Sequence, residues 1–107
     1  MTDFKDRETA FETKFARDEE MQFRITARRN KLVGLWAADK MGLTAAEAAP
    51  YATSVVQADF EESGDDDVVR KIVGDLAAAG VETDAAAITA LLAEKTVEAR
   101  RQLMEAQ

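Results

Sequence analysis

One amphipathic stretch, residues 18–42, constrains the fold of this 107-residue chain more than any other. It reads DEEMQFRITARRNKLVGLWAADKMG and contains no proline, so it can form one long helix that ends at Gly42. A helix with an apolar face must bury that face, so the rest of the chain is expected to pack against it. Large apolar residues at helical spacing predict that face: Met21, Ile25, Leu32, Leu35 and Trp36.

Three residues of this stretch interrupt a simple apolar face. Arg28 and Arg29 lie within the stripe, and we expect their stems to cover apolar surface while their guanidinium groups reach water. Gly34 lowers helix stability relative to alanine, so its position in mid-helix indicates close packing of a second helix.

A second helix is predicted over about 45–62. Thr44 and Glu47 have the spacing of a capping box, in which each side chain binds a backbone N–H of the other residue. Pro50 lies past the first turn, so we expect a kink or a local break there.

A third helix is predicted over about 66–79, after the acidic run 65–67. One of these carboxylates is expected to cap free N–H groups, and the others should lie at the positive end of the helix dipole. The spacing also predicts two i,i+4 ion pairs, which are Asp66–Arg70 and Asp67–Lys71.

Thr83 or Asp84 is expected to cap a fourth helix over about 84–105. The residues on its predicted inner side are Ile88, Leu91, Leu92, Lys95, Ala99 and Leu103. The connections between the four helices are short, which favours antiparallel neighbours. The predicted fold is therefore an all-α, single-domain antiparallel four-helix bundle whose first helix spans about 19–41.

Composition excludes several classes of function. A net charge of −7 opposes general nucleic-acid binding, because phosphate contacts need a positive field. The chain contains no Cys and no His, and we find no nucleophile–base pair, metal cluster or phosphate loop, so neither an enzyme nor a cofactor is expected. No apolar run approaches the ~20 residues of a membrane span, so a soluble, cytoplasmic protein without membrane insertion is expected.

Two charged clusters leave alternatives open. The acidic residues of 59–67 do not have the spacing of a calcium loop, and they form either a solvated cap region or a docking surface for a basic partner. In that second case the chain would be a helical adaptor. The basic cluster fits surface ion pairs better than phosphate binding, but weak nucleotide binding there stays open. Its members are Arg24, Arg28, Arg29 and Lys31.

The segment 1–18 precedes the predicted bundle. Steps of seven and four place Phe4, Phe11 and Phe15 on one helical face, roughly 80° from the predicted apolar stripe at 100° per residue. Continuing the first helix back to Phe4 would add about 22 Å that no predicted partner helix covers. We therefore expect a flexible extension, which is either a frayed terminus or a segment that folds in a partner's groove.

The stretch 6–42 resembles the zeta-subunit family of F-type ATP synthase inhibitors from alphaproteobacteria. The runs ARRNKL at 27–32 and GLWAA at 34–38 are specific, and ADFEE at 58–62 also matches the family. The resemblance implies a four-helix bundle whose N-terminal region inhibits ATP hydrolysis. That region would enter a catalytic interface of alpha and beta subunits beside the central gamma stalk, while the bundle anchors the protein on the enzyme.

Carried onto this sequence, the resemblance places the inhibitory segment at residues 1 to about 17. The protein would then be cytoplasmic and peripheral on the membrane-bound ATP synthase, with the F1 alpha, beta and gamma subunits as partners. We expect the phenylalanines of this segment to act as apolar anchors and its charged residues to orient it. The candidate partner-binding residues are Phe4, Arg7, Glu8, Phe11, Lys14, Phe15 and Arg17.

Overall fold

A computed structural model describes the backbone of residues 3–59 and 64–106, and the side chains of 18–59 and 64–106. The described residues form no strand, and their helices confirm the predicted all-α four-helix bundle. The helices are α1 Asp3–Lys40, α2 Ala45–Ala58, α3 Asp66–Ala78 and α4 Ala85–Glu105. The helix α1 begins at Asp3 and not near residue 19, whereas the predicted flexibility of residues 1–18 in the free protein stays a prediction.

Local capping signals place two helix starts correctly. The Thr44 hydroxyl accepts from the Glu47 N–H at 3.3 Å, and the Glu47 carboxylate accepts from the Thr44 N–H at 2.9 Å. These hydrogen bonds, above all the one from the backbone of Thr44, lower the pKa of Glu47. At the start of α4 the cap is Asp84, whose carboxylate accepts from the Ala87 N–H at 2.8 Å.

The helix α2 is continuous through Pro50, so the local break expected there does not occur. It ends at Ala58, earlier than predicted, and residues 60–63 lie outside the described part of the chain. The turn before α2 follows the prediction, because Gly42 has a φ of 75°, a conformation that favours glycine.

The start of α3 differs from its predicted capping. Asp65 occupies the N-cap position but makes no side-chain hydrogen bond to the helix. Its carboxylate instead accepts from the Arg29 guanidinium of α1 at 2.9 Å. A charged partner from a distant helix therefore replaces the local cap, because hydrogen bonds to charged donors are stronger than neutral ones.

The two ion pairs predicted on α3 are wrong. Arg70 pairs with Asp67 at 3.3 Å, and Lys71 pairs with Asp75 at 3.0 Å. Asp75 also accepts a hydrogen bond from the Tyr51 hydroxyl of α2 at 2.8 Å, and the Lys71 ammonium lies 5.2 Å from the centre of the Tyr51 ring. Contact with α2 therefore selects the partner of Lys71, which helical spacing alone could not do.

The core lies between the four helices and consists mainly of small and β-branched side chains. Of the stripe predicted for α1, Ile25 is buried and Leu32 and Trp36 are half-buried. Leu35 is exposed, because at 100° per residue it lies opposite the buried pair Val33 and Ala37. The buried apolar residues are Ile25, Val33, Ala37, Ala38, Ala52, Val55, Val68, Ile72, Leu76, Ile88, Leu92 and Ala99.

The close helix packing predicted at Gly34 is confirmed. A Cβ atom at this position would lie 2.7 Å from the Ala52 Cα of α2 and 3.3 Å from a Val55 methyl carbon. Both distances are below ordinary van der Waals contact, so only glycine allows α1 and α2 to approach this closely. The small buried residues Ala37, Ala38 and Ala52 fit the same close approach.

Candidate functional site

Two side-chain contacts of α1 show how α3 and α4 lie beside it. Arg28 of α1 donates to the Gln102 side chain near the end of α4 at 3.1 Å. Arg29, the next residue, binds Asp65 at the start of α3 at 2.9 Å. The last turn of α4 and the first turn of α3 therefore both lie beside this part of α1.

The helix α1 continues well beyond that point. In antiparallel packing, the Arg28–Gln102 contact brings the end of α4 at Glu105 near Ile25. Ile25 is also the first buried residue among the described side chains of α1. Residues 3–24, named here the N-terminal arm, therefore extend about 33 Å past the bundle at 1.5 Å per residue. The molecule is accordingly 67 Å long and only 25 Å and 20 Å across.

A polar cluster of buried Arg29, buried Asn30 and exposed Asp65, named here the Arg29 clamp, lies where the arm leaves the bundle. The Asn30 Oδ1 atom accepts from Nε and Nη2 of Arg29 at 3.1 and 2.9 Å, and Nη2 also binds Asp65. Arg29 is 7% exposed and Asn30 is fully buried. The expectation that the Arg29 guanidinium reaches water is therefore wrong. The clamp ties α1 to the start of α3 and fixes the rotation of α1 about its axis.

The remaining basic residues do not converge with Arg29 into one anion site. Arg24 pairs with Glu20 at 2.6 Å, and Arg28 is exposed and bound to Gln102. Lys31 is exposed. The guanidinium groups are thus used in separate contacts, which supports surface pairing over nucleotide binding.

The acidic cluster 59–67 is partly used inside the bundle. Asp65 belongs to the Arg29 clamp, and Asp67, whose side chain is 11% exposed, pairs with Arg70. Asp66 is exposed in the first turn of α3. Glu61 and Glu62 lie outside the described residues. Two of its carboxylates are therefore engaged internally, which weakens the adaptor hypothesis.

All seven predicted partner-binding residues lie in the arm, and their side chains are outside the described residues. Their helical positions can still be compared with the bundle. Positions 11 and 15 precede Arg29 and Val33 by about 18 residues, which is about five helical turns. Arg29 and Val33 are both buried, so the phenylalanine positions continue the buried side of α1. The offset of roughly 80° refers to the predicted stripe, whereas the bundle buries a face of α1 that is rotated from that stripe and includes Val33 and Ala37.

The described residues hold no group of three His, Cys, Asp or Glu side chains placed to bind a metal ion. Within 3–59 and 64–106, no helix combines the length and apolar character that crossing a bilayer requires.

Comparison with known proteins identifies the family of this chain. The model of a family described as ATPase inhibitor subunit zeta matches residues 1–102. This chain belongs to the ATPase inhibitor subunit zeta family. The role of the zeta family is inhibition of an ATPase, and the partner of this chain is accordingly an ATPase.

A solved relative supports the zeta-family fold. A protein whose structure was determined by NMR in solution is 45% identical to this chain, with a TM-score of 0.72. The match covers 81% of this chain and 99% of the solved one. A comparison with curated proteins gave no match.

Proposed function

We propose that this zeta-family protein inhibits ATP hydrolysis by F-type ATP synthase. The N-terminal arm enters a catalytic interface between the alpha and beta subunits beside gamma, and it blocks the rotation that accompanies hydrolysis. The bundle holds the inhibitor on the enzyme, so the protein is peripheral on the membrane-bound synthase and faces the cytoplasm. The observation that carries this proposal is the arm, which extends about 33 Å past the bundle formed by the described helices.

The physical chemistry of the arm supports a role in binding. A single helix that buries no face gains little stability from propensity alone, so an amphipathic arm gains most when a partner covers its apolar side. The bundle reduces the ordering penalty, because it already supplies a formed helical end at Ile25 on which the arm can propagate. The Arg29 clamp fixes the rotation of α1, which sets the direction in which the apolar positions of the arm are presented.

The proposal assigns two kinds of contact to the arm. Phe4, Phe11 and Phe15 are apolar anchors, since buried aromatic residues dominate the energetics of many interfaces. The charged residues orient the arm in the cleft by pairing with groups of opposite charge. They are Arg7, Glu8, Lys14 and Arg17.

The double variant Phe11→Ala, Phe15→Ala tests the anchoring. We expect at least tenfold weaker inhibition of ATP hydrolysis by purified F1, because removing a buried aromatic anchor commonly costs about 2 kcal/mol or more. Leu35→Ala is the matched control, since it removes an exposed apolar side chain from the bundle. If the double variant inhibits as strongly as the control, these two residues are not anchors.

A further inference from the structure

The helix α4 has an apolar surface on the side that faces away from the bundle. Val97 and Met104 are 67% and 64% exposed. At 100° per residue they lie opposite the buried residues Ile88, Leu92 and Ala99. A surface helix normally has polar residues on that side, so its apolar character indicates an interaction surface. We name the outer face of α4 by its exposed residues Ala90, Ala93, Val97, Arg100, Arg101 and Met104.

Two arginines on this face are available for a partner. Among the arginines with described side chains, those of α1 and α3 each bind an oxygen of a neighbouring side chain. Arg100 and Arg101 are exposed and have no such partner in the described part of the chain. They border a shallow groove of about 440 Å³ together with Val97, Met104 and Glu105. The chain as a whole has a net charge of −7, so this pair of guanidinium groups beside exposed apolar side chains forms a local basic and apolar surface.

The position of this face connects it to the arm. Gln102, which lies between Arg101 and Met104, hydrogen-bonds Arg28 of α1, close to where the arm leaves the bundle. A partner that receives the arm would therefore meet this end of the bundle first. Gln102 itself is on the side of α4 that faces α1, so the end of the outer face at Arg101 and Met104 and the base of the arm lie at the same end of the bundle.

We propose that the outer face of α4 is a second binding surface for the ATPase, and that it takes an apolar strip bordered by carboxylates. This inference rests on the proposed function. Val97 and Met104 cover the apolar strip, while Arg100 and Arg101 pair with the carboxylates. An anionic membrane fits less well, because lipid-binding clusters usually contain 4–8 basic residues and this chain is acidic overall.

Two charge reversals in the full-length protein test this surface. Arg101→Glu and Lys31→Glu change the net charge equally, and both residues are exposed, but Lys31 lies on α1 outside the outer face of α4. We expect Arg101→Glu to weaken the Kd for purified F1 about tenfold and to reduce its salt dependence, whereas Lys31→Glu leaves both unchanged. Residual ATP hydrolysis at saturating inhibitor should equal that of the wild type, because the arm is intact. Thermal unfolding checks that both variants are folded.

The apolar part of the surface has its own pair of variants. Val97→Ser should weaken binding to F1 about threefold to tenfold, and Leu35→Ser, an exposed position on α1, should not. If Arg101→Glu and Val97→Ser bind like their controls while the wild type binds and inhibits, the second surface is refuted and the arm mechanism stands. If the wild type binds without inhibiting but the variants lose affinity, the arm mechanism fails and the surface is supported.

Two further results would overturn the second surface. One is a wild-type protein that does not bind F1, which would also refute the proposed function. The other is binding of the wild type to phosphatidylglycerol vesicles that Arg101→Glu abolishes while its Kd for F1 stays unchanged. That result would assign the outer face of α4 to a membrane.

Discussion

Two glycines in helix interiors are predicted to respond to alanine with opposite signs. A Cβ at Gly34 of α1 would meet the Ala52 Cα at 2.7 Å, whereas a Cβ at Gly74 of α3 would meet nothing within 4 Å. Neither glycine has a positive φ, so both backbones accept alanine without strain. Gly34→Ala and Gly74→Ala therefore differ in packing and share the same gain in helix propensity.

The magnitude of the difference follows from the contact. Carbon atoms pack best at about 3.5–4.0 Å, so α2 would have to move away from Gly34 by about 1 Å. Overpacking of this kind costs about 1–3 kcal/mol, and the atom in the way belongs to the backbone of Ala52, which cannot rotate aside. Replacing a helical glycine by alanine contributes about 1 kcal/mol in the opposite direction. We expect Gly34→Ala to lower the free energy of unfolding by about 1 kcal/mol and Gly74→Ala to raise it by a similar amount.

Urea denaturation followed by circular dichroism measures both free energies of unfolding. Thermal unfolding should show the same signs, with shifts of about 4–8 °C for each kcal/mol in a domain of this size. If Gly34→Ala stabilises the protein as much as Gly74→Ala does, α1 and α2 are not in the close contact described here. If Gly74→Ala destabilises the protein, the added methyl group meets a neighbouring atom, and the space beside Gly74 is not empty.

Three other perturbations test the polar contacts of the bundle. Arg29→Ala should lower the free energy of unfolding by about 2–4 kcal/mol, because it removes a buried guanidinium and leaves Asn30 Oδ1 without its donor. Asp65→Ala should lower it by about 1–3 kcal/mol, because the nearly buried Arg29 guanidinium then loses its carboxylate partner. Urea denaturation measures both effects. Burial, with Asp75 nearby, raises the pKa of Tyr51, the one tyrosine of the chain, above its usual 10.0. The folded protein therefore holds the phenolic proton more tightly than the unfolded chain, and stability should fall as pH rises above about 10. Tyrosinate absorbance measures the pKa of Tyr51. Urea denaturation of Tyr51→Phe at several pH values should show no loss of stability from this group above about pH 10.

The sequence predicts those features that depend on neighbours along the chain. The capping box of Thr44 and Glu47 and the cap at Asp84 are local, and each needs only residues within one turn. The number and order of the helices follow from the same local signals. Gly34 was also informative, because a glycine in mid-helix has few explanations other than close packing.

The predictions from sequence are wrong where a contact with a distant helix determines the structure. Asp65 has the position of a cap, but Arg29 from α1 takes its carboxylate. The buried face of α1 was predicted from its largest residues, yet the close approach to α2 selects small ones, so Ala37 is buried and Leu35 is exposed. The bundle therefore buries a face of α1 that is rotated from the predicted stripe and contains Val33 and Ala37. Spacing along one helix cannot show which of two apolar stripes its neighbours will cover.

The candidate site was predictable in outline for a different reason. The sequence shows that α1 can be longer than its partner helices. In the structure the bundle ends near Ile25, so the part of α1 without partners is longer than the sequence predicted. The outer face of α4 could not be predicted, because it is defined by what the bundle leaves exposed. Val97 and Met104 become informative only when the inner side of α4 is known.

Inhibition by the N-terminal arm is tested by comparing the full-length chain with a chain that lacks residues 1–17. The shortened chain retains every described residue that is buried, since the first of these is Ile25, so its bundle should stay folded. Both proteins are added at saturating concentration to purified F1, and the rate of ATP hydrolysis is measured. We expect strong inhibition by the full-length chain and none by the shortened one. Equal inhibition by both proteins, or none by the full-length chain, would contradict this expectation.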